Sequence, residues 1–327
     1  MRAPCVRVPE AEGEATRRSL VAAELLDHEL EIEGEDGWLY LPVTDAEAAS
    51  EAYEVTEREF EPRETQTLPA DLLETDPSYE RIGDIVLLHE DDLERAREIA
   101  EAVMASDLPV ASVLNRASEV RGTERVRDWE LLAGEGTETV HREYGCDFAV
   151  DLARVYFSPR LATERQRVVN QIQEGERAFD MFAGVGPFAV RLAEAGAEVV
   201  AVDVNADAIE YLEANARRNG VADRVTAIED DVKEVAGTYA GWADRIVMNL
   251  PHSAADFLDA AVTIAGEDCV VHYYDIQPEA DPYSAGEAAI RGAAGDAYTV
   301  EIVDRRAVRS YAPGQVNVCV EARLRSV

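Results

Sequence analysis

Lysine is almost absent from this sequence. Lys233 is the one lysine among 31 basic residues, and these are set against 67 acidic residues, for a net charge of −36. The acids are scattered along the chain, so they coat a folded surface and do not form a tail. Their repulsion becomes tolerable at molar salt, where the Debye length shrinks to about 3 Å. We therefore expect a protein of a salt-filled cytosol, as in a halophilic archaeon. An ordinary acidic protein is the alternative, and the scarcity of lysine argues against it.

Long apolar runs and paired cysteine motifs are also missing. No segment reaches the roughly 18 apolar residues that a membrane span needs, and the first residues contain no apolar signal region. The four cysteines form no Cys-x-x-Cys pair, and the five histidines are scattered. These absences predict a cytoplasmic protein without a disulfide framework and without a metal site.

The 327 residues, 47% of them hydrophobic, are enough for a sizeable core in two or three domains. Residues 1–60 have the pattern of a small α/β unit. Residues 61–79 are rich in proline and acid, which is typical of a linker. Residues 80–155 predict a second small α/β unit that closes with a hairpin turning at Tyr144-Gly145.

From residue 156 to residue 327 strands and helices alternate regularly. Such alternation predicts an α/β fold with a Rossmann-like, doubly wound parallel sheet. The last segment, 298–325, contains two strands separated by a short connection. These two strands are expected to form an antiparallel hairpin at the C-terminal end of the sheet.

The first motif with chemical content is Asp180-Met-Phe-Ala-Gly-Val-Gly-Pro-Phe188. Gly184 and Gly186 follow a strand and precede a helix, so the backbone can approach a ligand closely. The third glycine of a dinucleotide fingerprint is absent. A plain tight turn is the alternative.

Two acidic positions follow at the ends of the next strands. Asp203 ends one strand and can accept hydrogen bonds from a ribose, and Asp231 with Val232 follows the next strand, where an acid can meet an adenine amino group. Either acid alone could equally be a helix N-cap. In this order, at successive strand ends, the motifs resemble the S-adenosylmethionine site of Rossmann-like methyltransferases.

A fourth strand ends at Asn249 in the segment RIVMNLPH. It resembles the [Asn/Asp]-Pro-Pro-aromatic signature of enzymes that methylate a nitrogen in a planar, conjugated group. Leu250 replaces the first proline and His252 the aromatic residue. The motif therefore indicates a base-binding role for Asn249 only together with the other strand ends.

Five motifs together make the resemblance specific. VYFSPRLATER (155–165), DMFAGVGPF, RIVMNLP, VVHYYDI (270–276) and RSYAPG (309–314) are similar, in this order, to motifs of the archaeal tRNA (guanine-N1)-methyltransferases that act on guanosine 37. The N-terminal segment also resembles the small first domain of that family. The resemblance covers nearly the whole chain.

The resemblance implies roles for four residues at the target base. Glu164 falls on the general base that removes the proton of guanine N1. Arg125 falls on the arginine that stabilises negative charge on guanine O6. Tyr156 matches a position that orients the base, and Asn249 lies near both the guanine and the methyl donor.

The resemblance also implies S-adenosylmethionine as the cofactor and tRNA with guanosine 37 as the partner. The positions matched to the cofactor site are Arg165, Phe182, Gly184, Gly186, Asp203, Asp231, Val232 and Asn249. The target base must be flipped out of the anticodon loop, and the protein is expected to act as a monomer. An aminocarboxypropyl transferase of wyosine-type tRNA modification and a non-catalytic RNA-binding relative are the alternatives.

Overall fold

The computed structural model describes residues 1–63, 66–118 and 127–327. These residues divide into two compact units, one formed by 1–71 with 106–108 and the other by 72–105 with 109–327. The finer division predicted from the sequence, with boundaries near residues 60, 80 and 156, stays a prediction.

The first unit contains a four-stranded antiparallel sheet in the order β2-β3-β1-β4. Alternation along β1 buries Val6 and Val8, which pack with Leu20 and Leu41 in a small apolar core. The elements are β1 (Arg2–Pro9), α1 (Gly13–Ala22), β2 (Glu33–Glu35), β3 (Trp38–Pro42), α2 (Ala46–Ser50) and β4 (Val55–Glu59).

The second unit begins with a four-stranded sheet and a separate hairpin. The sheet has the order β5-β6-β7-β8, and its central strands β6 and β7 are parallel. Tyr144 and Gly145 have φ of 46° and 95° between β9 and β10, which confirms the predicted turn. The elements are β5 (Glu80–Ile82), β6 (Ile85–Leu88), α3 (Leu93–Ala105), β7 (Ser112–Arg116), β8 (Trp129–Ala133), β9 (Glu138–Glu143) and β10 (Cys146–Asp151).

A seven-stranded sheet follows, in the order β13-β12-β11-β14-β15-β17-β16. Its first five strands are parallel, and β17 lies antiparallel between β15 and β16. The predicted Rossmann-like sheet with a C-terminal antiparallel hairpin is confirmed. The elements are α4 (Ala162–Val169), β11 (Arg177–Asp180), α5 (Ala189–Glu194), β12 (Glu198–Asp203), α6 (Ala206–Arg218), β13 (Val225–Glu229), α7 (Val232–Val235), β14 (Ala243–Met248), α8 (Leu258–Ile264), β15 (Ala265–Pro278), α9 (Ser284–Ala294), β16 (Tyr298–Ala312) and β17 (Gln315–Ser326).

Both faces of this sheet are covered by apolar side chains. Ala178 and Phe179, neighbours on β11, belong to different core clusters, as expected when successive side chains point to opposite faces. The cluster of Ala178 also contains Leu114 of β7 and Phe148 of β10, so the hairpin and the smaller sheet share a core with the large sheet. Among the described residues, no helix combines the length and apolarity needed to cross a membrane.

Candidate active site

Several of the predicted residues gather at one edge of the large sheet. The strands β11 to β14 are parallel, so their carboxyl ends meet at the edge where ligands of such sheets bind. Asp203 ends β12, Asp231 follows β13, and Asn249 follows β14. The fold therefore places these three side chains around one potential site.

The loop after β11 contains two glycines with left-handed backbone. Gly184 has φ of 53° and Gly186 has φ of 86°, values that other residues rarely adopt. A Cβ on Gly186 would lie 3.0 Å from Leu212 Cγ of α6, whereas the nearest neighbour of a Cβ on Gly184 would be the Tyr156 carbonyl oxygen at 3.8 Å. Gly186 thus permits tight packing on α6, and Gly184 leaves backbone open to a ligand.

The two acidic residues at the next strand ends already hold parts of the site together. Asp203 accepts hydrogen bonds from the N–H groups of Gly184 at 2.7 Å and Asn205 at 3.0 Å, which ties the glycine loop to β12. Asp231 caps α7 by accepting a backbone N–H of its first turn at 2.9 Å, and its neighbour Val232 is buried. The helix-capping interpretation is confirmed for Asp231. A carboxylate has about four acceptor positions, so a cap does not exclude a ligand contact.

Asp180, the last residue of β11, is a further candidate for this site that the sequence motifs did not indicate. Its side chain is 1% exposed, and neither carboxyl oxygen has a hydrogen-bond partner of normal geometry among the described residues. Burial raises the pKa of Asp180 to about 7; the N–H groups of Phe182 and Ala189 oppose the rise, and the charge of Asp203 adds to it. A buried carboxyl group without a partner is destabilising until a ligand supplies a donor. The available signal was an acid closing the strand RAFD directly before the glycine loop.

Asn249 presents a second unpartnered acceptor. Its side-chain Oδ1 is buried and has no hydrogen-bond partner among the described residues. Three positions later His252 has φ of 83°, a left-handed conformation that strains a non-glycine residue. The ring centroids of His252 and Tyr311 are 5.2 Å apart, and His252 Nε2 lies 3.2 Å from the Tyr311 hydroxyl. The fold thereby joins the NLPH and RSYAPG motifs.

These groups suit the predicted cofactor. S-adenosylmethionine carries an ammonium group and ribose hydroxyls, and the oxygens of Asp180 and Asn249 that lack a partner among the described residues can accept hydrogen bonds from such donors. Phe182 adds an aromatic surface beside the glycine loop, with its ring centroid 5.0 Å from that of Phe257. The residues present therefore fit a ligand of this chemistry.

Glu164 lies on α4 and is only 6% exposed. Glu164 is therefore not one of the solvated acidic side chains of this chain. Its carboxylate accepts two hydrogen bonds from Arg167, at 2.7 and 3.0 Å, and one from the Tyr274 hydroxyl at 2.8 Å. Burial raises the pKa of Tyr274 well above its ordinary value, so this hydroxyl stays protonated and donates. Arg167 also contacts Glu321 of β17 at 2.8 Å, which anchors α4 on the sheet.

Arg165 is the immediate neighbour of Glu164, but its side chain has different partners. Its guanidinium, 2% exposed, donates to Glu143 of β9 at 2.8 and 2.5 Å and to the Ser158 carbonyl at 3.1 Å. These bonds tie α4 to the hairpin, and the cofactor contact expected of Arg165 stays a prediction. Arg125 lies outside the described residues.

A pocket of about 140 Å³ is lined in part by residues 155–158. Its walls include Trp129, Tyr156, Arg127 and Arg309. The Tyr156 carbonyl oxygen also lies 3.8 Å from the position of a Cβ on Gly184, so the segment that carries Tyr156 borders both this pocket and the glycine loop. Tyr156 thus lines a pocket together with Arg127 and Arg309, whereas its expected contact with the target base stays a prediction.

Comparisons with known families agree with this geometry. Residues 139–302 match the TRM5/TYW2 methyltransferase domain, residues 65–137 the TYW2 N-terminal domain, and residues 5–51 the tRNA methyltransferase 5 N-terminal domain. The tRNA (guanine(37)-N(1))-methyltransferase Trm5b of Pyrococcus abyssi is 40% identical, over 98% of both chains. A tRNA(Phe) (4-demethylwyosine(37)-C(7)) aminocarboxypropyltransferase of Pyrococcus horikoshii is 33% identical, over 80% of this chain and 94% of its own.

Solved structures give the same result. The crystal structure of Trm5b from Pyrococcus abyssi matches with a TM-score of 0.76 at 38% identity, covering 99% of both chains. The structure of aTrm5 in complex with tRNALeu matches with a TM-score of 0.74 at 32% identity, covering 98% of this chain and 99% of the other. TYW2 of Methanocaldococcus jannaschii in complex with AdoMet matches with a TM-score of 0.62 at 28% identity, over 76% of this chain and 100% of the other. The chain belongs to the TRM5/TYW2 methyltransferase family, whose cofactor is S-adenosylmethionine.

Proposed function

We propose that this protein transfers the methyl group of S-adenosylmethionine to N1 of guanosine 37 in tRNA. The observation that carries the proposal is the full-length match to a tRNA (guanine(37)-N(1))-methyltransferase, over 98% of both chains. The aminocarboxypropyl transferase relative covers 80% of this chain, although 94% of its own length is aligned. Residues 5–51 also match the N-terminal domain of tRNA methyltransferase 5. A methyltransferase is therefore favoured over the alternative transferase.

The proposed general base, which takes the proton from guanine N1, is Glu164. Guanine N1 carries a hydrogen at neutral pH, and that proton must leave as the new N–C bond forms. When bound, S-adenosylmethionine supplies the electrophilic methyl group. Arg167 and Tyr274 occupy three of the roughly four acceptor positions of a carboxylate. They hold Glu164 in one orientation and leave one position for the N1 proton.

Three other residues would orient the target guanine and stabilise its negative charge. The unpartnered Oδ1 of Asn249 suits a donor on the guanine edge or on the cofactor. Tyr156 lines the pocket beside the glycine loop and would stack on or flank the base. Arg125 would stabilise the negative charge that builds on O6 as N1 loses its proton.

The cofactor would lie across the carboxyl ends of β11 to β14. Asp203 would bind its ribose and Asp231 with Val232 its adenine, while Phe182 and the backbone at Gly184 and Gly186 would line it. Asp180 is added to this set because both of its carboxyl oxygens are buried without a partner of normal geometry in the described part of the chain. Arg165 would also line the cofactor, with its guanidinium held by Glu143.

The net charge of −36 bears on how tRNA would bind. At molar salt the release of counterions contributes little to affinity. Binding would then depend on local arginine contacts, stacking and the shape of the RNA. The target nucleotide must also leave the anticodon stack, because its guanine has to reach the buried carboxylate of Glu164.

The test is methylation of an unmodified tRNA transcript with guanosine 37 by the purified protein in molar KCl. Mass spectrometry of the digested tRNA should identify N1-methylguanosine at that position. An added aminocarboxypropyl group would select the alternative transferase, and tRNA binding without any product would select the non-catalytic relative.

A further inference from the structure

The RSYAPG segment contains an irregular stretch of β16. The pairing of β16 with β17 shifts between Ala307 and Arg309 and again between Ser310 and Ala312. Bulges of this kind bend a strand and re-aim its side chains, and they are frequent beside active sites. Arg309 and Tyr311 lie within this stretch, and Tyr311 contacts His252 in the NLPH motif. The segment therefore borders the site from the antiparallel side of the sheet.

Arg309 has a buried donor without an acceptor, in a strongly acidic protein. Its Nε has no hydrogen-bond partner in the part of the chain that the structure describes. Nearby arginines of the same strand do have carboxylate partners: Arg305 pairs with Glu287, and Arg306 with Asp304. A buried donor without an acceptor is destabilising, so a ligand with acceptor atoms that bonds to Arg309 would remove this cost.

The surroundings of Arg309 indicate the kind of ligand. It lines the pocket of about 140 Å³ together with Tyr156, Trp129 and Arg127. The Arg127 guanidinium lies over the Trp129 ring, 5.3 Å from its centroid. Glu80 also lines the pocket, but its carboxylate is bound to Arg160 at 2.8 Å. Aromatic surfaces beside guanidinium groups suit an unstacked nucleobase that carries acceptors on its edge.

We propose that Arg309 binds the N7 and O6 edge of the target guanine, on the N7 side of O6 and beside the O6 contact proposed for Arg125, so that the RSYAPG segment selects guanine over adenine. Guanine presents two acceptors on this edge, whereas adenine presents a donor at N6, and a guanidinium offers two parallel N–H donors. N1 lies on the opposite side of O6 from N7 and stays free for Glu164. This inference rests on the proposed methylation of guanosine 37.

The experiment compares tRNA containing guanosine 37 with the same tRNA containing 7-deazaguanosine, which lacks N7 and keeps N1 and O6. Single-turnover kcat/KM is measured in molar KCl for the parent protein, Arg309→Gln and Arg309→Lys. We expect the parent to lose on the order of 10-fold on the 7-deaza tRNA. For Arg309→Gln, kcat/KM on the guanosine 37 tRNA should be lower than that of the parent by a similar factor. Replacing guanosine 37 by 7-deazaguanosine should then cause no additional decrease for this variant. Arg309→Lys should fall between the two, because lysine can donate but not as a fork.

Arg323→Gln is the matched control, because it removes one arginine of the neighbouring strand β17 that is paired with Asp268 at 2.6 Å. It should behave as the parent on both tRNAs. Equal rates of the parent on both tRNAs, or an Arg309→Gln variant still sensitive to 7-deazaguanosine, would overturn the assignment. If Arg309→Gln lowers kcat/KM while the parent has equal rates on both tRNAs, Arg309 contacts a phosphate, and the proposed contact with guanine is also overturned.

A purely structural role of Arg309 would give a different result. Asn317 lies across from Arg309 in the β-ladder, and its buried Oδ1 has no partner within residues 1–63, 66–118 and 127–327. If Arg309 merely supports Asn317, Arg309→Gln should lower the free energy of unfolding without changing the response to 7-deazaguanosine, and the proposal falls. If the parent forms no N1-methylguanosine on either tRNA, the proposed function and this inference fall together.

Discussion

Glu164→Gln tests the proposed chemistry directly. Glu164 is 6% exposed and accepts three hydrogen bonds from Arg167 and Tyr274. Glutamine keeps the size and one acceptor oxygen but removes the charge, which leaves Glu321, at 2.8 Å, as the closest carboxylate to Arg167. Removing one partner of a buried ion pair costs about 3–5 kcal/mol. Because Glu321 remains, we expect the free energy of unfolding to fall by a smaller amount, about 2–3 kcal/mol, the value of one or two charged hydrogen bonds.

The effect on catalysis should be separate from this loss of stability. Without a carboxylate to accept the N1 proton, the single-turnover rate should fall by about 10²–10⁴-fold, with tRNA affinity retained. The assay is rapid quench with saturating enzyme and S-adenosylmethionine in molar KCl, at a temperature at which the variant is folded. Equilibrium tRNA binding is measured in the same buffer.

Glu321→Gln is the matched control. Glu321 is 5% exposed and binds the same guanidinium as Glu164, so its loss should lower stability by a similar amount. Its methylation rate should stay within a few-fold of the parent. If Glu321→Gln slows methylation as much as Glu164→Gln, the rate loss reports the ion-pair network and not a base. An unchanged rate for Glu164→Gln would refute the assignment outright.

Three further predictions concern the cofactor edge and the charge. Asp180→Asn should increase the free energy of unfolding at pH 8 and weaken binding of S-adenosylmethionine. The pKa of Asp180 is raised from 3.8 to about 7, so its contribution to stability is fully present below about pH 4 and is lost as the pH rises to 7. If the parent and Asp180→Asn have equal free energies of unfolding in urea titrations at pH 8, the reasoning is contradicted. Gly184→Ala should weaken binding of S-adenosylmethionine, measured by calorimetry. Gly220→Ala is its control, because Gly220 also has a positive φ, 71°, and a Cβ there would have no neighbour within 4 Å. It should lower the free energy of unfolding by a similar amount through backbone strain and leave cofactor binding unchanged. Raising KCl from 0.1 to about 2 M should increase the free energy of unfolding, because salt screens the repulsion of a net charge of −36; stability that falls with KCl would argue against adaptation to salt.

The fold could be predicted from the sequence because its signals are local. Alternation of strands and helices from residue 156 onward indicates a parallel sheet, and the paired segments 298–325 indicate the antiparallel hairpin. The positive φ of Gly184 and Gly186 follows from the turn between a strand and a helix. Since parallel strands end at one edge, the grouping of Asp203, Asp231 and Asn249 was also predictable.

The environment of individual side chains could not be predicted in this way. Tyr274 is 110 positions from Glu164 and donates to it only because β15 passes beneath α4 in the folded protein. Arg165 and Glu164 are neighbours in sequence, yet Arg165 is bound to Glu143 and Glu164 to Arg167. Adjacent residues on a helix point in different directions, so their partners depend on which elements pack on each side.

Local periodicity and turn residues therefore determined the sheet, its helices and the edge at which the cofactor is proposed to bind, since each depends on residues close together in the chain. Only the tertiary structure decided that Asp180 is buried with no partner of normal geometry among the residues described, that Glu164 is held by Arg167 and Tyr274, and that Arg309 reaches the pocket of Tyr156. Burial and long-range pairing arise when distant segments pack against one another, and no short stretch of sequence specifies them.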